Sequence, residues 1–490
     1  MKPLIPLLSL LHLVSPCTLT PQPFSDLIPL LSPSALVIGP SDSHFVGFTE
    51  RYLRSNSPDY SVIVVVATEN DVSAAVGFAN KYDVPFAAKV TGHGPWRGLA
   101  EMKGGINIWL RNLSSIEISE DGNYATVGGG VLVAELVERL WAAGKQTATG
   151  LCQCVGVSGS GLGGGLGPLM GEYGLGLDQF VSARVVLANG TAVTVSEESN
   201  PDLFWGLRGA GHNFGIVTEV KIRVYDTKDK ENWVLGVLVF SGDQVEGVFE
   251  ELNNKIPDQP SHFSYDVLMI RDPTADPDNA IVLLRLFSWG FSLDEFTSYI
   301  APFQDLSPVI SSTTETDYPG LIAELGYGLD SDSCQPGHYG GVFGIGVTKY
   351  SLADMRNFYA LFNQATASLP EFAFSYVFIE GYGYQAVRNI PSENTAYAHR
   401  HLRAYSTVVL LYDAPGPDRK LDQLVDEWGE KMRRALLEGQ EAQESYVNYS
   451  GEQESLEAMY GYDEWRLKNL RKLKKVYDPR NRFGYYAPIR

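Results

Sequence analysis

Glycine is spread unevenly along this chain, and that unevenness limits what the chain can fold into. Many of its 49 glycines cluster between Gly128 and Gly215. Glycine alone tolerates positive φ and close backbone approach, so the cluster predicts tight packing around something. A chain of 490 residues is long enough for two or three domains with substantial cores. The formal net charge of −20 disfavours a nucleic acid partner and electrostatic docking to anionic lipid.

The N-terminus combines Lys2, a short apolar run from Leu4 to Val14, and the small residues Ser15 and Cys17. That run is too short to span a bilayer and reads as a signal peptide over 1–18, implying secretion or entry into the secretory pathway. No other stretch is long and apolar enough for a membrane span. Cys17, Cys152, Cys154 and Cys334 are too few for a disulfide framework, though one bridge, such as Cys154 to Cys334, is possible. Asn112, Asn189 and Asn448 head glycosylation sequons, the last expected to be buried and unused.

Ser61–Thr68 is a β-branched run that reads as a buried strand, and Glu69–Tyr82 has helical spacing. With the apolar segment Pro85–Val90 they form a β-α-β unit, which leads into the turn-rich loop Thr91-Gly92-His93-Gly94-Pro95-Trp96. Strands are expected at Gly105–Leu110 and Ala125–Gly129, a helix at Val131–Ala143, and a glycine-dense loop at Gly150–Gly167. Phe180–Leu187 and Thr191–Val195 flank an Asn-Gly turn, a strong hairpin signal. After the charged stretch Asp226–Asn232, the runs Trp233–Phe240, Phe263–Ile270 and Ile281–Phe287 read as strands with helices between them. Such a pattern predicts a separate α+β domain with an antiparallel sheet.

Histidine is the side chain best suited to titration or nucleophilic attachment near neutral pH, and His93 lies between glycines after a buried strand. Cys152 and Cys154 form a C-x-C pair without the second pair that a zinc site needs, so no metal is expected. Gly159, Gly161 and Gly164 satisfy G-x-G-x-x-G formally, but the strand–turn–helix context of a dinucleotide fingerprint is missing. The backbone N–H groups of that loop can still cradle a pyrophosphate. Gly209–Val217 is a second glycine loop feeding a strand.

Taken together, T-G-H-G-P-W, G-L-C-Q-C-V-G, the loop Gly163–Gly167, Tyr173 through Asp178, Leu207–Val217, Tyr446–Tyr449 and the terminal Tyr477-Asp-Pro resemble one family in order. The chain is similar to berberine-bridge-enzyme-like FAD-linked oxidases of the vanillyl-alcohol oxidase superfamily, with a PCMH-type FAD domain, and to the fungal secondary-metabolism type among them. The resemblance implies a two-lobed α+β fold. It places the FAD domain at 58–228, a substrate domain at 229–440, and a segment at 441–490 that completes the FAD lobe.

The same resemblance implies covalent FAD, bonded to His93 and to Cys152. Gly92, Val155, Gly156, Gly163, Gly164, Gly165, Tyr173, Asp178, Gly215, Val217 and Asn448 match cofactor-contacting positions, with Gly128–Gly130 among the wrapping loops. Tyr446 matches a tyrosine over the active face and is the candidate base. A valine at the position of Val155 goes with reaction with oxygen in similar plant enzymes. The chain departs from the family at Thr91, where glycine is usual, and at Gln153, where proline is frequent. Leu166 and Pro95 stand where some members carry tyrosine. The implied activity is oxidation of an alcohol or activated C–H bond of a small metabolite by hydride transfer to FAD, with O2 giving H2O2. The competing readings are a carbohydrate oxidase of the same fold and a secreted flavin-binding protein without turnover.

Overall fold

The computed structural model describes residues 24–490, so the N-terminal signal expected at 1–18 lies outside the described residues. The first sheet is the β-α-β unit read from the sequence, extended by two strands. β1 (Leu36–Ile38), β2 (Tyr60–Val65), β3 (Phe86–Lys89) and β4 (Gly105–Trp109) lie in the order β1-β2-β4-β3. β4 pairs parallel with β2 and with β3, so the chain must cross over between them. The crossover helix Glu69–Lys81 starts where predicted, because Thr68 and Asp71 form a reciprocal capping box. It buries Val72, Ala75, Val76, Phe78 and Ala79.

The second sheet contains β5 (Ile116–Ile118), β6 (Tyr124–Gly128), β8 (Phe180–Leu187), β9 (Ala192–Ser196) and β10 (Gly215–Arg223), in the order β5-β6-β10-β8-β9. β7 (Lys145–Gln146) and β11 (Tyr225–Asp226) form a small ribbon beside it. The predicted hairpin is β8–β9, closed at Gly190 with φ of 86°. Gly150–Gly167 is not the continuous loop expected, because Val157–Gly163 is helical. The glycines are there for packing. A Cβ at Gly161 would lie 2.6 Å from the Phe180 ring, and one at Gly163 would lie 2.1 Å from the Asn448 amide.

The third sheet has seven antiparallel strands: β12 (Trp233–Phe240), β13 (Phe263–Ile270), β14 (Ile281–Trp289), β15 (Ile310–Thr316), β16 (Tyr339–Val347), β17 (Tyr376–Gly381) and β18 (Ala404–Tyr412). Their order is β15-β12-β14-β13-β17-β18-β16. One face carries Val267, Met269, Val377, Ile379, Val408 and Leu410, and packs on the helices Leu352–Ser368 and Arg419–Leu437. Side chains alternate along a strand, so their immediate neighbours in sequence point the other way. That second face covers the site described next. The last helix, Glu464–Tyr477, and the C-terminal residues return to the N-terminal sheets, where Phe483 packs beside Phe86.

Candidate active site

A cavity of about 890 Å³ separates a floor of N-terminal and C-terminal loops from the seven-stranded sheet, its roof. The floor holds His93 in the loop that follows β3. His93 stacks on Tyr52 at 5.3 Å between ring centroids, and burial, reinforced by the Arg51 guanidinium, pushes its pKa down to about 4. The imidazole is therefore neutral near pH 7 and keeps a nucleophilic lone pair. The side-chain donor atoms of His93, Cys152 and Cys154 lie within 4.8 Å of one another, so the two expected attachment residues converge on one spot. Cys154 is committed to a disulfide with Cys334, as the sequence allowed, and Cys152 keeps a free thiol.

Gly92, His93, Cys152, Val155, Gly156, Gly165, Gly215, Val217, Tyr446 and Asn448 all line this cavity. Four other expected cofactor contacts do not. Gly163 and Gly164 lie behind the lining, backed by the Asn448 and Tyr446 side chains. Tyr173 stacks on Tyr225 at 3.8 Å, and its hydroxyl accepts from the Lys230 ammonium at 2.6 Å. Asp178 is nearly buried and pairs with Arg400 at 2.7 Å, the partner a buried carboxylate needs. Gly128, Gly129 and Gly130 also sit outside the lining, because their bare Cα atoms press on the backbone of Leu113, Val217 and Leu110.

The residues present fit FAD. Arg51 Nε and His212 Nδ1 are buried without a hydrogen-bond partner, and both residues line the floor. Such orphaned polar atoms are costly unless a ligand satisfies them. Arg51 adds a fixed positive charge suited to a diphosphate. Lys89, at the end of β3, donates to the Phe48 carbonyl at 2.9 Å. Burial, then the neighbouring Arg51, lowers its pKa to about 6. Neither residue was singled out from the sequence, where Lys89 ends an apolar strand and Arg51 lies in a mixed polar stretch beside Glu50 and Arg54.

The roof carries carboxyls that sequence reasoning missed. Asp266 on β13 faces Arg285 on β14 on one side and Glu380 on β17 on the other. Arg285 donates to both Asp266 oxygens, at 2.6 and 2.7 Å, and neutralises that carboxylate. Glu380 is held instead by two phenols, accepting from Tyr382 at 2.5 Å and from Tyr449 at 2.7 Å. Burial pushes its pKa up to about 7, although the two hydrogen bonds act in the opposite sense. A carboxyl poised near neutrality in a cleft is suited to general acid–base work.

Tyr446 is placed differently. Its hydroxyl oxygen accepts from the Gly165 N–H at 2.9 Å and from the Asn448 amide at 2.7 Å, and burial pushes its pKa well above the usual tyrosine value. Asn448 is half-buried, not fully buried as expected, and also donates to the Ser160 carbonyl at 2.9 Å.

Comparison with known proteins agrees with this geometry. Residues 60–196 match the FAD binding domain family, and residues 445–490 match the berberine and berberine like family. The chain is 38% identical over 470 residues to the FAD-linked oxidoreductase anuG of Penicillium roqueforti, covering 95% of this chain and 91% of that one. Among solved structures it resembles the xylooligosaccharide oxidase of Myceliophthora thermophila in complex with xylobiose, with a TM-score of 0.78, 23% identity, and coverage of 92% and 96% of the two chains. It also resembles the glucooligosaccharide oxidase of Acremonium strictum, whose flavin is a 6-S-cysteinyl, 8α-N1-histidyl FAD. There the TM-score is 0.78, the identity 21%, and the coverage 91% and 95%. With its cavity, its flavin-fitting floor and a curated relative matched along nearly the whole length, the chain belongs to the berberine-bridge-enzyme-like FAD-linked oxidoreductases.

Proposed function

We propose that this oxidoreductase removes a hydride from an alcohol or activated C–H bond of a small, largely apolar metabolite, with FAD held covalently by His93 and Cys152 and O2 as electron acceptor. The observation that carries the reading is Glu380, a cation-free carboxyl at the polar end of an otherwise apolar roof. The cavity face of the sheet falls into rows set by strand register. One row holds Asp266, Glu380 and Tyr405. The next holds Leu268, Phe378 and Thr407, and beyond it Tyr376 faces Val409, which faces Val342. Phe374, 68% exposed, stands at the apolar end. An apolar body would lie along these rows with its reacting hydroxyl at Glu380. An oligosaccharide would need polar partners along its length, and beyond Glu380 these rows offer the Thr407 hydroxyl and a Tyr376 hydroxyl already bonded to Tyr52.

When bound, FAD supplies the hydride acceptor. The chain's own residues orient and move the proton. Tyr382 and Tyr449 each occupy one lone pair of Glu380, leaving the others to accept the substrate hydroxyl proton. Tyr446, expected from the sequence as the base, serves here as a support for Asn448 and the Gly165 turn. Its hydroxyl lacks the positive charge that would make a phenolate accessible. Val155 lines the cavity near Cys152, in keeping with oxygen access. In this reading 58–228 and 441–490 hold the cofactor and 229–440 covers it. A disulfide suits an oxidising compartment, which favours secretion, and Asn112 and Asn189 are exposed for glycosylation.

Anaerobic bleaching of the flavin band tests the proposal, with 4-alkylbenzyl alcohols and cellobiose as probes. The alcohols should reduce the flavin, cellobiose should not, and readmitted O2 should return one peroxide per alcohol oxidised. Glu380→Gln should slow reduction by about a hundredfold to ten-thousandfold, the usual worth of a positioned base. The wild-type rate should rise with pH through about 7, as Glu380 loses its proton. Faster reduction by cellobiose, or an undiminished Glu380→Gln rate, would sink the reading.

A further inference from the structure

Three sulfurs meet at the edge of the floor, and only two can pair. Cys154 is bonded to Cys334, 180 residues away, and the Cys152 Sγ lies 3.6 Å from Cys154 Sγ and 3.8 Å from Cys334 Sγ. Cys334 comes from a short turn, Asp332–Cys334, whose neighbours Tyr327, Asp332 and Ser333 line the cavity. That segment is docked on the Cys152 loop by the Gln153 N–H, which donates to the Tyr327 carbonyl at 3.0 Å, and by the Leu329 N–H, which donates to Gln153 Oε1 at 3.2 Å. Cys334 is therefore held within reach of either cysteine of the C-x-C pair. The flavin and Cys334 compete for Cys152.

We propose that Cys154 is a guard: by occupying Cys334 in a disulfide, it keeps the Cys152 thiol free for the flavin. The inference rests on the reading of Cys152 as the second flavin attachment. The competing reaction is thiol–disulfide exchange. The Cys152 thiolate attacks the Cys334 sulfur, a Cys152–Cys334 bond forms, the Cys154–Cys334 bond breaks, and Cys154 leaves as a thiolate with no net oxidation. Burial raises the Cys152 thiol to about 11, with hydrogen bonds from Ser333 and Cys154 opposing the rise, so the attacking thiolate is scarce at neutral pH. Attachment replaces the thiol hydrogen and one flavin-ring hydrogen by a C–S bond, a two-electron oxidation whose electrons pass to O2 and give H2O2. The native pairing persists long enough for it, after which Cys152 has no thiol left to exchange. Cys154 thus acts through Cys334 as a positioning residue.

The guard role differs from a simple staple in what removing both bridge partners does. A staple predicts that Cys154→Ser and Cys154→Ser/Cys334→Ser are equally impaired. A guard predicts that the double variant recovers, since no competitor remains. Wild type, Cys154→Ser, Cys334→Ser and the double variant would be folded as full chains with FAD in a glutathione couple. In Cys154→Ser, glutathione disulfide takes two electrons from the Cys152 and Cys334 thiols and becomes two glutathiones. Non-reducing peptide mass mapping then reports Cys152 as thiol, flavin adduct or Cys334 disulfide.

We expect the adduct in wild type, in Cys334→Ser and in the double variant. In Cys154→Ser we expect a Cys152–Cys334 bridge and a loss of adduct of about tenfold or more, as effective concentrations for a preplaced pair imply. A wild-type level of adduct in Cys154→Ser, or no recovery in the double variant, overturns the guard. If Cys154→Ser fails to fold, Cys334→Ser decides: retained adduct supports the guard and lost adduct overturns it. Absence of the adduct in wild type would defeat the attachment reading instead. The disulfide map of Cys154→Ser would then still judge the guard, a bridge supporting it and two free thiols overturning it.

Discussion

Behind the floor of the cavity, side chains have been removed so that backbones can touch; in the roof, side chains stand in rows. A Cβ at Gly130 would lie 2.0 Å from the Leu110 carbonyl oxygen, and one at Gly167 would lie 2.0 Å from that of Thr149. No rotamer change relieves a clash with backbone. The roof strands instead share one scaffold face, packed on helices, and present the other to the cavity. The floor is therefore intolerant of substitution at its packed glycines and builds a fixed cofactor bed. The roof can change chemistry one side chain at a time while its backbone stays put.

The sharpest way to break this contrast is Gly130→Ala. It should destabilise the chain by about 3 kcal/mol, an overpacking cost at the upper end because the clash is with backbone. Chemical denaturation with flavin release as a second signal would measure it, and a loss below about 1 kcal/mol would show that the floor can relax. On the roof, Phe378→Leu should cost less than about 1.5 kcal/mol while weakening binding of the alkylbenzyl probes. Isothermal titration of the reduced enzyme separates the two effects, and an unchanged affinity would remove Phe378 from the substrate face. Phe374→Ser, at the exposed rim, should leave stability within about 0.5 kcal/mol of wild type. It should raise KM for the longest alkyl probe by about fourfold or more, the worth of a methylene or two of apolar contact.

The smallest effect concerns the seam between the two regions. The Glu444 backbone carbonyl accepts from Gly346 on β16, and its carboxylate meets His399 at 3.2 Å and His401 at 2.8 Å. Burial works to raise the Glu444 pKa, but hydrogen bonds from the two histidines hold it down to about 2. A depressed carboxylate contributes stability that is present above its unfolded value of 4.5 and lost as pH falls toward 2. His401 is shifted the other way by its bond to Glu444, so its share is present below 6.5 and lost as pH rises through its elevated folded value. The Tm difference between wild type and Glu444→Gln should therefore be greatest between pH 4.5 and 6.5 and shrink on both sides. A difference independent of pH would mean that packing, not charge, joins the regions there.

Much of the floor was legible in the sequence. β2, β3, the helix between them and the β8–β9 hairpin follow from local patterning, with a capped helix start and an Asn-Gly turn. The motifs around His93 and Cys152 are each short and contiguous, although they stand on two separate loops. The roof was half legible. β12, β13 and β14 are apolar runs, whereas β15 is a polar edge strand and β16 carries four glycines, a residue depleted in strands. Tyr173 and Asp178 were expected at the cofactor because they follow the glycine loop, yet the chain turns them toward Tyr225 and Arg400.

By itself, the sequence determined which backbone would pack closely, where the candidate attachment residues His93 and Cys152 would lie, and that the chain would form an α+β protein of this family. Those properties depend on neighbours a few residues apart. Tertiary structure alone decided that Glu380 lacks a cation because Arg285 is taken by Asp266, and that Cys334 pairs with Cys154 beside Cys152. Both outcomes depend on strand register and on loops that meet across 180 residues or between separate strands, and no local pattern of residues encodes either.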